Sequence, residues 1–165
     1  MFSDLFQITL IAATLASALV AGVFLTFSDF VMRSLARARP AAGIEAMQII
    51  NREVYRSQFM VLLIGMAIAA ITLAAVGLVL ASGPVVLWLL AGAAAYLGGV
   101  MAVTARANVP MNQRLDSQDP HSASARTLWQ TYQRNWTRWN HLRSAAAAIA
   151  ALCYLAAALA LNVSA

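Results

Sequence analysis

The sequence predicts an all-α integral membrane protein, a four-helix bundle whose helices extend on the cytoplasmic side, in a single transmembrane domain over residues 1–165. Three observations predict it. The chain is 62% hydrophobic but only 10% charged, where an ordinary soluble domain is about 25% charged. Its mean hydropathy is +0.73. Three runs carry no charge: between Asp4 and Asp29, between Arg56 and Arg106, and from Ser144 onward.

A spanning helix needs about 20 apolar residues. The outer runs therefore hold one span each, and the middle run holds two, parted by the Gly-Pro break in ASGPVV (Ala81–Val86). The expected spans are 5–29, 58–81, 84–105 and 144–163. The first begins with Asp4 and no basic residue, so it reads as a retained helix rather than a signal peptide, although ASA at 16–18 has the form of a cleavable triplet. After it, AAGIEAMQIINREVY (Ala41–Tyr55) carries apolar residues at 44, 47, 50 and 54, one helical stripe. This segment is expected to extend the second span, with Pro40 and Gly43 marking its start.

The third span leads into ARANVPMNQRLDSQDPHSAS (Ala105–Ser124), which with its two prolines reads as a loop; Ser122 or Ser124 is the expected N-cap of the last helix. That helix opens with LWQTYQRNWTRWNHLR (Leu128–Arg143). Trp129, Tyr132, Trp136, Trp139 and Arg143 recur there at helical steps, and no Gly or Pro separates them from the Ala-rich tail. One aromatic face is therefore expected to run straight into the fourth span. Small residues such as Ala91–Ala95, Gly98, Gly99 and Ala145–Ala151 suit close helix approach where lipid supplies no hydrophobic drive between helices.

Every basic residue is Arg, and all eleven lie in the first and third connections or the segments flanking them. By the positive-inside rule those connections are cytoplasmic and both termini lie outside, in what is expected to be a bacterial inner membrane. Anionic head groups account for many of these Arg. The same placement argues against nucleic-acid binding. Cys153 stands alone in the last span and reads as a small core residue.

Polar residues inside a bilayer are costly and tend to be functional. Four helix ends bring them to one level: Asp29 after the first span, Gln48, Asn51 and Glu53 before the second, Asn108 and Asn112 after the third, and Trp129, Trp136, Trp139, Asn140, His141 and Arg143 before the fourth. If the bundle closes, they can line one cavity. The plain alternative is an interfacial aromatic belt with Arg anchors. His141 is the first choice as a base, because a free imidazole titrates near neutral pH; the solvated His121 is not. A flat aromatic ligand suits the Trp and Tyr rings. A metal has weak support, since two His without a ligand spacing give only His141 with Asp29 or Glu53 as a set.

GVFLTFSDFVMRSL (Gly22–Leu35), AMQIIN (Ala46–Asn51), NVPMN (Asn108–Asn112) and WTRWNHLR (Trp136–Arg143) resemble, in order and spacing, the anthrone oxygenase family of small membrane proteins. The resemblance implies oxidation of an anthrone-type or hydroquinone-like lipophilic substrate by O2, without flavin, haem or added metal. Its implied chemistry is deprotonation of an acidic methylene followed by direct reaction of the carbanion with O2. His141 is then expected to be the base. Asn51, Asn108, Asn112 and Asn140 are expected to donate to the oxyanion, Trp129, Trp136 and Trp139 to stack on the substrate, and Gln48 and Arg143 to complete the binding site. The competing class is a non-catalytic membrane protein that binds a quinone or other lipophilic ligand, or packs as a small subunit against a larger membrane partner. The small-residue spans suit a second copy of the chain as well as another membrane protein. Transport is disfavoured, because no span carries a charge at mid-depth.

Overall fold

The computed structural model describes the backbone of residues 2–163 and the side chains of residues 4–161. Among these residues all regular structure is helical. Helix α1 (Phe2–Thr26) passes through a wider π-helical turn, Phe27–Val31, directly into α2 (Met32–Arg37). The helix ends where Ala38 turns extended, and Pro40 opens α3 (Pro40–Glu53), in the first turn, where a missing N–H is harmless. A 3₁₀ turn, Val54–Arg56, precedes α4 (Gln58–Leu80). Gly83, at φ 61°, makes the reversal into α5 (Pro84–Ala94), a conformation that glycine adopts without strain. The third long helix continues through π-helical segments at Ala95–Ala102 and Thr104–Asn108 into α6 (Val109–Asp116). Helix α7 (Ala123–Val163) is 41 residues long.

Four helices, over Asp4–Arg37, Gln58–Leu80, Pro84–Asp116 and Ala123–Leu161, are long and apolar enough to cross a membrane. The chain is thus an all-α membrane bundle. Ser122 caps α7, its Oγ accepting from the Ala125 amide at 3.1 Å, and α7 does carry the aromatic segment into the last span without interruption.

Two sequence expectations are corrected. The 41–55 segment does not extend the second span: Ser57 is extended (ψ 157°) and its side chain caps α4 by accepting from the Met60 amide. Local capping therefore starts a new helix there, which leaves α3 free to lie against α2, α6 and α7. The expected loop after the third span is helical as far as Asp116. Pro110 is tolerated because it falls in the first turn of α6, directly after a π-helical turn, where the backbone hydrogen-bond pattern is already shifted.

α1 lies along α7, α7 along α5, and α5 along α4, while α4 meets α1 less extensively. Small residues set these approaches. A Cβ added at Gly99 would stand 2.3 Å from the Ala146 Cβ on α7, so only glycine permits this helix spacing. The packing forms two separate cores. One fills the bundle, with Leu10, Val20, Phe24, Leu63, Tyr96 and Tyr154 among its members. The other lies under α3 and α6 and is built from Met32, Ile44, Met47, Leu115, Trp129, Tyr132 and Trp136.

Candidate functional site

Between the two cores lies a cavity of about 640 Å³, a volume suited to a small organic ligand. Its walls draw on all four long helices and on α3. Phe24 and Phe27 come from the first helix, Met47, Asn51 and Glu53 from α3, and Phe59, Met60 and Leu63 from α4. Met101, Thr104, Asn108 and Asn112 come from the third long helix, and Trp136, Asn140 and Arg143 from α7.

Helical periodicity explains each contribution. Thr104, Asn108 and Asn112 recur every four residues, and Trp136, Asn140 and Arg143 follow at steps of four and three. Residues at these spacings share one helix face. The π-helical turns at Phe27–Val31 and Thr104–Asn108 flank the polar layer, as such turns often do at functional positions.

Arg143 is the electrostatic centre. It is 6% exposed. Its Nη1 donates to Thr104 Oγ1 at 3.2 Å and its Nη2 to Asn140 Oδ1. The guanidinium carbon stands 4.2 Å from the Phe24 ring centroid and 5.4 Å from that of Trp136, and a cation over a desolvated ring gains about 2 kcal/mol. No carboxylate pairs with it among the described residues. Asn140 fixes the guanidinium from behind: wholly buried, its Nδ2 donates to the Phe24 carbonyl and to Ser28 Oγ, each at 2.6 Å.

Asn112 joins the site to the second core. Its Oδ1 accepts from Tyr132 Oη and from Trp136 Nε1, each at 2.8 Å, which leaves its Nδ2 as a donor. Asn108 Nδ2 donates to the Trp136 carbonyl at 3.3 Å, so its Oδ1 points away from that carbonyl. Three buried polar atoms in these walls have no hydrogen-bond partner: Arg143 Nε, Asn108 Oδ1 and Asn51 Nδ2, the last lying beside the Tyr132 hydroxyl without a well-formed bond. Buried polar groups are nearly always paired, so these atoms suit a ligand or ordered water.

The structure gathers Asn51, Asn108, Asn112, Trp136, Asn140 and Arg143 around the cavity and places four expected residues elsewhere. His141 is exposed and outside the cavity wall. One helical residue turns a side chain by about 100°, so the step from Asn140 to His141 carries the imidazole off the buried face. Trp139, 45% exposed, lies outside that cavity and borders a separate pocket with Asn135, Arg138 and Leu142. Trp129 is core: it stacks on Tyr132 at 5.5 Å, and Tyr132 stacks on Trp136 at 6.2 Å. Gln48 is a clamp, its Nε2 donating to the carbonyls of Leu115 and Gln118 at 2.9 Å each, which ties α3 to the end of α6.

The metal set of His141 with Asp29 or Glu53 does not assemble. Among the described residues no three His, Cys, Asp or Glu side chains are grouped to hold an ion, and Asp29 is paired with Arg33. Phe24, Phe27 and Met47 also line the wall, although nothing in the sequence singled them out as candidates, and so does Thr104. Thr104 carried a signal, the four-residue step to Asn108 and Asn112, which the expectation of a loop obscured.

No curated protein and no solved structure matches the chain. The family model described as anthrone oxygenase matches residues 52–153, which include Glu53, Asn108, Asn112, Trp136, Asn140 and Arg143. With more than half of its length matched, the chain belongs to the anthrone oxygenase family.

Proposed function

We propose that the protein is a membrane oxygenase that oxidises a lipophilic aromatic substrate, anthrone-type or hydroquinone-like, with O2. The observation that carries this reading is Arg143, a buried cation without a carboxylate partner among the described residues, set in the wall of a largely apolar cavity. A buried charge is stable only when something compensates it. A substrate that becomes an anion during reaction is such a partner, and its rings match the walls of Phe24, Phe27, Met47 and Trp136.

In an anthrone, loss of a methylene proton leaves a carbanion delocalised through the rings onto the carbonyl oxygen. Arg143, with the amides of Asn51 and Asn112, stabilises that oxygen as its charge develops, and Asn140 and Thr104 hold the guanidinium in place. Asn108 Oδ1 is an acceptor for a hydroxyl on the substrate, and Trp136 supplies a ring face. The carbanion's electron pair bonds to O2, and the peroxide formed is protonated. Loss of the second methylene proton with cleavage of the O–O bond leaves a carbonyl. The sum is one methylene and one O2 giving one carbonyl and one water. The electron-rich anion reduces O2 itself, so no cofactor is expected. A bilayer setting concentrates both the polycyclic substrate and O2.

The test is O2 uptake by the purified protein with anthrone, followed together with quinone formation. Arg143→Met is expected to lower kcat by roughly 10²–10³-fold, the usual loss on removing an oxyanion donor, with Arg143→Lys retaining part of the activity. Unchanged turnover in Arg143→Met overturns the proposal. Tight binding of quinones without O2 uptake from any hydroquinone-like substrate favours the ligand-binding alternative.

A further inference from the structure

We propose that Glu53 is the base that takes the methylene proton, an assignment that rests on the anthrone-type reading above. Only Glu53, Tyr55 and Arg143 among the cavity-lining residues have ionisable side chains. An arginine has no lone pair to offer a proton, and a neutral phenol is a weak acceptor. The single carboxylate in the wall is therefore the group with the required chemistry.

Its surroundings leave it available. Arg52, its neighbour in sequence, is engaged elsewhere, with Nε 3.3 Å from Asp116 Oδ1. Glu53 enters no ion pair among the described residues. It is the last residue of α3, directly before the 3₁₀ turn whose residues Val54 and Tyr55 also line the cavity. It is exposed, whereas Arg143 is buried in the same cavity. That polarity fits the substrate class: an anthrone carries its carbonyl and its methylene on opposite edges of the central ring. With the carbonyl oxygen at the buried cation, the methylene faces outward, to the carboxylate.

In the step itself, a Glu53 Oε bonds to the methylene proton, and the C–H electron pair moves through the ring to the oxygen held by Arg143. After the carbanion bonds to O2, the protonated Glu53 returns its proton to the peroxide. The carboxylate then removes the second methylene proton as the O–O bond breaks. The departing hydroxide takes that proton and leaves as water, and Glu53 is restored.

The experiment follows proton removal without oxygen, by deuterium exchange at the anthrone methylene in anaerobic D2O with the full-length protein, alongside aerobic O2 uptake and anthrone binding. Glu53→Gln is expected to lose about 10²–10⁴-fold in both exchange and uptake, the span of general base catalysis. It should bind anthrone as wild type does and unfold at the wild-type temperature, as befits an exposed position. Glu53→Asp should recover part of both rates. Exchange and uptake within about twofold of wild type in Glu53→Gln overturn the assignment alone. A wild-type protein that binds anthrone but neither exchanges nor oxidises it overturns the reading beneath it.

Discussion

At the scale of single residues, the site depends on a contrast between neighbours. Asn140 is wholly buried and holds Arg143, while His141 is exposed. The side chain with the most familiar acid–base chemistry is thus separated from the cavity by the geometry of one helical step. His141→Ala is expected to keep O2 uptake within about twofold of wild type, since an exposed imidazole outside the cavity offers none of the roughly 10²–10⁴-fold effect of a general base. A loss of that size in steady-state assays would return His141 to the mechanism. Gln48 teaches the same lesson in reverse: polar and buried, it was a fair binding candidate by sequence, but both of its donor contacts are to backbone carbonyls at the end of α6. Residue type made each of these side chains a candidate; its facing assigned the role.

At the scale of elements, two devices place the polar layer. The first is the insertion of wide turns, at Phe27–Val31 in the first long helix and at Ala95–Ala102 and Thr104–Asn108 in the third. Sequence periodicity does not reveal them, because a π-helical turn shifts register by only one residue. The second is close packing through glycine. Gly98 and Gly99 are adjacent, yet a Cβ at Gly98 meets nothing within 4 Å while one at Gly99 meets Ala146 at 2.3 Å. Gly99→Ala is accordingly expected to cost about 1–3 kcal/mol, as overpacking does, and Gly98→Ala to be nearly neutral. Thermal unfolding in detergent separates the two, and equal effects would contradict the helix spacing. Helix α3 was visible in the sequence as an amphipathic stripe. Its attachment was not, because one capping serine at position 57 decides whether it prolongs α4 or folds away.

At the scale of the whole molecule, four long apolar helices place the chain in a membrane, and the two Arg-rich regions lie toward the ends that carry the cavity and the second core. The positive-inside rule predicts that this end faces the cytoplasm, with both termini on the opposite side. Single cysteines introduced at Gln113 and at Ser82, in a Cys153→Ala background, should be labelled by an impermeant reagent from opposite sides of the membrane. The reverse pattern would invert the orientation. Fold class and membrane residence were determined by the sequence alone, because hydropathy and charge are additive along a chain and need no knowledge of neighbours. The level of the site was legible too, since polar residues at four helix ends fall at similar distances from the spans. Which of those residues share a cavity was decided only by tertiary structure. Two side chains one residue apart differ by which neighbouring helix covers them, and that depends on the spacing of α1, α7 and the third long helix, set by contacts between segments distant in sequence. The stretch Leu128–Arg143 shows the division: its helix and the shared face of Trp129, Tyr132 and Trp136 could be read in the sequence, but only packing sent Trp129 to the core, Trp136, Asn140 and Arg143 to the cavity, and Trp139 and His141 to the outside.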